Sequence, residues 1–198
     1  MMLRPLLDWW RRPSRPTHSP QSPGASAESM LGAADASATM TASVVRVAEV
    51  DDARALAVAG ALFQRKFGQH IPDFPRHFVA MVGERCAGYV HYTPWQGDFL
   101  CGGLCIDDRV YRELPSADRA WIRERGGIAE IMMRGAHAVL DAHATIWGYI
   151  GDKQAEAVDR RVGFVPVAEP FLFAIWRSPL SDVQKAERIA AAKCIGPF

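Results

Sequence analysis

Residues 152–164, DKQAEAVDRRVGF, constrain this chain more than any other segment because they carry their own punctuation between two apolar runs. Ala155, Val158 and Val162 recur on one helical face, and Gly163 stands where a left-handed residue ends a helix. The apolar stretch before them, 145–150, and the one beginning at Phe164 read as strands. Strand, short helix, Gly-Phe, strand is therefore expected here, and it requires a fold that mixes helices with a sheet.

The chain has 198 residues, of which 49% are hydrophobic, enough for one domain of ordinary size with a core of its own. A formal net charge of +1 provides no field for nucleic acid, and no basic run is long enough to track a phosphate backbone. Cys86, Cys101, Cys105 and Cys194 contain no C-x-x-C pair, so a reduced, cytoplasmic setting is expected. Cys101 and Cys105 are expected on one strand face, but no second ligand pair accompanies them and no metal site is expected. No stretch is apolar enough to span a bilayer, and Pro5 and Asp8 break the N-terminal apolar segment that a signal peptide would need.

Residues 13–41 are rich in Pro, Ser, Ala, Gly and Thr and lack the large apolar side chains that offset ordering entropy. They read as a linker. Ahead of it, Leu3, Leu6, Leu7 and Trp10 share a helical face, a short amphipathic segment suited to a protein partner or a membrane surface. Three regions follow: a disordered extension over 1–42, a folded domain over 43–178 and a C-terminal helical tail over 179–198.

Within the domain, Val44, Val45, Val47 and Val50 predict a strand, and Asp51 or Asp52 caps a helix whose buried stripe is Leu56, Ala59, Phe63 and Phe67. Gly68 ends it, and 69–77, with Pro72 and Pro75, read as a loop. Strands over 78–82 and 85–92 flank a Gly83-Glu84 turn. A third, 99–106, contains Gly102 and Gly103, which mark a bulge or a close backbone approach. Helices are expected over 116–125, capped by Ser116, and over 128–140, then a strand over 145–150, strands over 164–167 and 171–176, and a last helix over 182–193. The predicted fold class is α/β (α+β), a mixed, mostly antiparallel sheet flanked by helices.

Ala155, Gly163 and Phe164 fall into a pattern, Asn-x-x-Ala-x-x-x-Tyr-x-x-x-Gly-Phe, that resembles the last helix of the GNAT superfamily of N-acetyltransferases; Asp152 replaces its Asn and Asp159 its frequent Tyr. The order of elements from Ser43 to Arg177 is similar to that fold, and the segment GERCAGYV around Gly88 resembles its second hairpin. Acetyl-CoA as co-substrate and a small-molecule or peptide amine as acceptor are what the resemblance implies. In the family pattern of Gln or Arg, x, x, Gly, x, Gly or Ala, Gly127 and Ala129 fill the last two places and Glu124 the first, where Arg123 or Arg125 would have to compensate.

Arg125, Gly126, Gly127, Ile128 and Ala129 lie where a loop enters a helix, a place that can aim backbone N–H groups at a phosphate. By resemblance, Cys105 and Ile106 supply strand backbone to the thioester and pantetheine arm, and Asp152 belongs to the coenzyme site. Transfer to an amine also needs a base, for which His91 and Asp98, flanking the central strands, are the candidates, and an acid for the leaving thiolate. Asp159 stands in the acid's place, but an ordinary carboxylate is ionised near neutrality and donates poorly, which leaves Tyr149 as the substitute. The long connection over 107–126 is an insertion relative to the family. Two functions are carried by these residues: an N-acetyltransferase, or a catalytically inactive module of the same fold that binds or assembles through its N-terminal segment.

Overall fold

The computed structural model describes residues 43–73, 75–167 and 170–198, and the expected N-terminal segment and linker lie outside them. The element order is β1 (Arg46–Val50), α1 (Asp52–Phe67), β2 (Arg76–Val82), β3 (Arg85–Trp95), β4 (Asp98–Ile106), α2 (Asp108–Arg112), α3 (Ser116–Glu124), α4 (Ile128–Val139), β5 (Ile146–Tyr149), α5 (Lys153–Val162), β6 (Val165–Pro166), β7 (Leu172–Ile175) and α6 (Asp182–Lys193). The strands form one sheet in the order β1-β2-β3-β4-β5-β7-β6, antiparallel except between β4 and β5. The fold is thus mixed, with a mostly antiparallel sheet between helices.

Local chemistry accounts for most boundaries. Asp51 accepts from the Arg54 N–H at the start of α1, and Gly68 closes that helix in the left-handed region. Ser181 and Gln184 form a reciprocal capping box on α6. Ser116, by contrast, is the first residue of α3 rather than its cap; Pro115 precedes it with no side-chain bond to the helix. The stripe expected on α1 is rotated: Ala55, Ala59, Leu62 and Phe63 are buried, while Leu56 and Phe67 are exposed. β2 begins inside the expected loop, because Arg76 and His77 pair with Tyr92 and His91.

One face of the sheet carries α4 and α5, whose Ile128, Met132, Met133 and Val162 pack with Phe78, Val90, Tyr92, Ile146 and Phe164. On the other face lie α1, over Val79, Met81, Tyr89 and Cys105, and α6, over Trp95, Leu100 and Trp147. α6 is not a loose tail. Its Arg188 reaches Asp98 at 2.6 Å, a buried carboxylate that also accepts from the Thr145 N–H and the Trp147 indole N–H.

Between β3 and β4 the register slips: Tyr89 faces Cys105, whereas His91 faces Gly102, so β4 carries one extra residue in a bulge. Gly103 sits there at φ +61, a conformation that disfavours side chains, and a Cβ would collide with the His91 ring and Phe63. The slip also corrects the expectation for the two cysteines. Cys101 packs on the α4 face and Cys105 under α1, because one extra residue between them reverses the alternation.

Candidate active site

β4 and β5 are bonded only over Phe99–Ile146, Leu100–Trp147 and Cys101–Gly148. Beyond Cys101, β4 runs on to Ile106 paired with β3 alone, and β5 stops at Tyr149. The sheet therefore opens beside the bulge, and Cys105 and Ile106 lie along that free stretch, opposite Tyr89 and Gly88. An open seam between parallel strands is a place where an extended ligand can meet strand backbone.

Asp159 projects from α5 on the α4 face and is only 8% exposed. Burial pushes its carboxyl up to about 7. Its charged form in turn raises the Cys101 thiol, which burial and that carboxylate together bring to about 12, and it also acts on Tyr92. The Tyr92 hydroxyl is 2.9 Å from His137 Nε2, and burial followed by Arg177 and Arg134 lowers that imidazole to about 4. Asp159, Cys101, Tyr92 and His137 thus form a polar group within an apolar layer. This changes the expectation for Asp159: burial brings its titration into the neutral range, so the carboxyl can hold a proton there.

His91 lies on the opposite face, half-buried against Gly102 and Gly103 of the bulge and 6.1 Å from the Phe63 ring. Its Nδ1 is 3.4 Å from the Tyr89 hydroxyl, which is 2.7 Å from His77 Nδ1; His77 Nε2 is 3.2 Å from Asp52. Burial, and secondarily His77, depress His91 to about 3, so both histidines are neutral at physiological pH. Burial raises the Cys105 thiol beside this chain to about 12, which does not suit a nucleophile.

The α3–α4 junction differs from an open phosphate loop. The Gly126 N–H donates to Arg123 O and the Gly127 N–H to Ile122 O, so both amides close the end of α3. The first-turn amides of Ile128, Ala129 and Glu130 are the donors that a helix start leaves without intrahelical acceptors. Arg125 stacks over Trp121 at 4.0 Å and bonds to its carbonyl. Glu130 is buried against Gly126 and held by Arg161 and Arg134, each at 2.7 Å, which keep its carboxyl below the usual range.

Asp152 caps α5, accepting from the Gln154 N–H at 3.0 Å. Tyr149, 37% exposed, packs against Phe171 and Phe198. Alternation along β5 puts Trp147 and Tyr149 on the α6 face and Gly148 against Phe164 on the α5 face, so Tyr149 and Asp159 are on opposite sides of the sheet. His77, Tyr89, Tyr92 and His137 join the site without having been expected in it, and Asp52 and Cys101 enter it in roles other than the cap and the strand-face cysteine expected of them. The available signal was the polar Tyr89, His91 and Tyr92 in a strand otherwise reading as core, since buried polar groups need partners.

No protein-family model matches the chain, and no curated protein matches it. Solved structures do. A Pyrococcus horikoshii protein described as an acetyltransferase is 10% identical, with a TM-score of 0.45, over 63% of this chain and 44% of its own; this chain thus spans less than half of that protein. An acetyltransferase of the GNAT family from Streptococcus pneumoniae is 12% identical, with a TM-score of 0.43, over 66% of this chain and 96% of its own. An acetyltransferase from Thermus thermophilus is 20% identical, with a TM-score of 0.41, over 66% of this chain and 94% of its own.

Proposed function

We propose that this chain is a GNAT-like N-acyltransferase that moves an acetyl group from acetyl-CoA to an amine. The observation that carries the reading is the open β4–β5 seam with a buried, part-protonated Asp159 on one face and a neutral imidazole, His91, on the other. The amine nitrogen attacks the thioester carbonyl, a C–N bond forms and the C–S bond breaks. His91 takes the proton that the amine sheds, and Asp159 gives its proton to the departing sulfur. Asp159 then recovers a proton from water. A neutral acid suits this place better than a carboxylate, which would oppose the charge developing on sulfur.

In this reading Cys105 and Ile106 offer backbone to the acyl arm. The first turn of α4, with Ile128 and Ala129, receives the pyrophosphate, aided by Arg134 and Arg161. Gly126 and Gly127 shape the turn rather than donate to the ligand, and Asp152 orients α5. Calorimetry with acetyl-CoA at neutral pH tests the coenzyme site. Binding in the micromolar range is expected, and Ala129→Glu should weaken it at least tenfold by placing negative charge at the helix start. Unchanged affinity in that variant would put the coenzyme elsewhere.

One observation favours a second reading, a module of this fold that binds without catalysing. The Glu130 carboxylate occupies the arginine pair beside Gly126, where a phosphate would compete with it. Absence of any acetyl-CoA binding by the unaltered protein would select that reading.

A further inference from the structure

The acyl transfer proposed above needs an atom to receive the amine proton, and the hydrogen-bond chain beneath α1 determines which atom that is. Asp52, at the exposed end, is 57% accessible, whereas His77 and Tyr89 are wholly buried and His91 opens again beside the bulge. A buried polar chain with two accessible ends costs more to keep than apolar packing, unless every member is satisfied. Each member here has its partner.

The donors order themselves from the outer end. A carboxylate oxygen of Asp52 accepts only, so the proton of neutral His77 must be on Nε2. His77 Nδ1 is then a lone pair, and the Tyr89 hydroxyl donates to it. With its only hydrogen committed, the Tyr89 oxygen accepts from His91, whose proton must therefore be on Nδ1. His91 Nε2 is left bare. That nitrogen is the His91 atom closest to where a Cβ on Gly102 would stand, so it faces the backbone at the opening of the sheet.

The geometry points to a proton relay, His91–Tyr89–His77–Asp52, in which His91 Nε2 takes the proton of the acceptor amine and the chain passes a proton outward to the Asp52 carboxylate. Each transfer moves one proton along an existing hydrogen bond: Nδ1–H of His91 to the Tyr89 oxygen, the Tyr89 hydrogen to His77 Nδ1, and Nε2–H of His77 to Asp52. No oxidant or further reactant is needed. Desolvated beside Phe63 and Tyr89, His91 alone holds an added proton poorly, and the hydrogen-bond chain gives that proton a way out. Asp52, His77 and Tyr89 are positioning residues, and the role of His91 rests on the acyltransfer reading.

Proton–nitrogen correlation spectra of histidine-labelled full-length protein, recorded near neutral pH without coenzyme, test the assignment directly. His91 should be the Nδ1–H tautomer and His77 the Nε2–H tautomer, and Tyr89→Phe should abolish the His91 signature. A His91 found as the Nε2–H tautomer in the unaltered protein overturns the assignment, whatever the variant does. The kinetic arm uses Asp52→Ala, an exposed substitution, for which kcat should fall about tenfold or more with the KM for acetyl-CoA unchanged. An unchanged kcat overturns the relay while acyl transfer stands. No thiol release from the unaltered protein would instead overturn the acyltransfer reading, while the tautomers still decide the assignment.

Discussion

At Asp159, a residue whose ordinary chemistry argues against proton donation is made suitable by where the fold puts it. Burial alone raises its carboxyl to about 7, against an unfolded value near 4. Because the folded value is the higher one, the folded chain holds an extra proton between about pH 4 and 7, and its stability falls as pH rises across that window. Asp159→Asn is therefore expected to stabilise the protein at pH 8 relative to pH 4, by up to roughly 4 kcal/mol, in paired urea titrations. A gain independent of pH would mean that the carboxyl titrates normally. The same proton governs catalysis: kcat should decline above about pH 7 as Asp159 ionises. The helical pattern placed position 159 in the sequence, but not its protonation state. That state depends on the sheet and α5 excluding water from its carboxyl, which no local spacing encodes.

Among the elements, α3 and α4 share a junction in which two consecutive glycines have different duties. Both have positive φ, +83 at Gly126 and +98 at Gly127, so a side chain at either is strained. Only Gly126 is also obstructed: a Cβ there would fall on the Glu130 carboxylate, whereas Gly127 faces open space. Gly126→Ala should destabilise by about 2 kcal/mol or more and Gly127→Ala by about 1 kcal/mol, in thermal or urea melts. Equal costs would mean that Glu130 moves aside freely. The Gly-Gly pair was legible as a helix entrance, while its use in closing α3 was not, since that depends on the 107–126 segment folding into two helices. α6 was legible to the residue because Ser181 and Gln184 cap it locally. Its docking through Arg188 onto Asp98 was not, because those positions are 90 residues apart.

For the molecule as a whole, a sheet that opens between β4 and β5 separates two polar systems, Asp159 with Cys101 and Tyr92 on one face and the His91 chain on the other. The bulge at Gly103 turns Cys105 away from Cys101 and seats His91 at the opening, so a single extra residue in β4 arranges both faces. The hairpins, the bulge and the ends of α1, α5 and α6 were legible because turns, caps and glycines are local signals. Which polar side chains meet was not, because it depends on pairing between β2, β3 and β4. Residues 1–42 contribute no predicted core, and we propose that 43–198 fold without them. Melts of the full chain and of a chain starting at Met40 should agree within about 3 °C, roughly the shift of a 1 kcal/mol change, and a larger loss would show that the N-terminal segment packs on the domain. The most direct test of acyl transfer itself is thiol release from acetyl-CoA with a panel of amines, near neutral pH, for the unaltered protein and Asp159→Asn. Amine-dependent release by the unaltered protein is expected, with a loss of about a hundredfold in kcat in the variant and coenzyme affinity preserved. Equal rates in the two proteins, or an unaltered protein that neither binds acetyl-CoA nor releases thiol, would contradict that expectation.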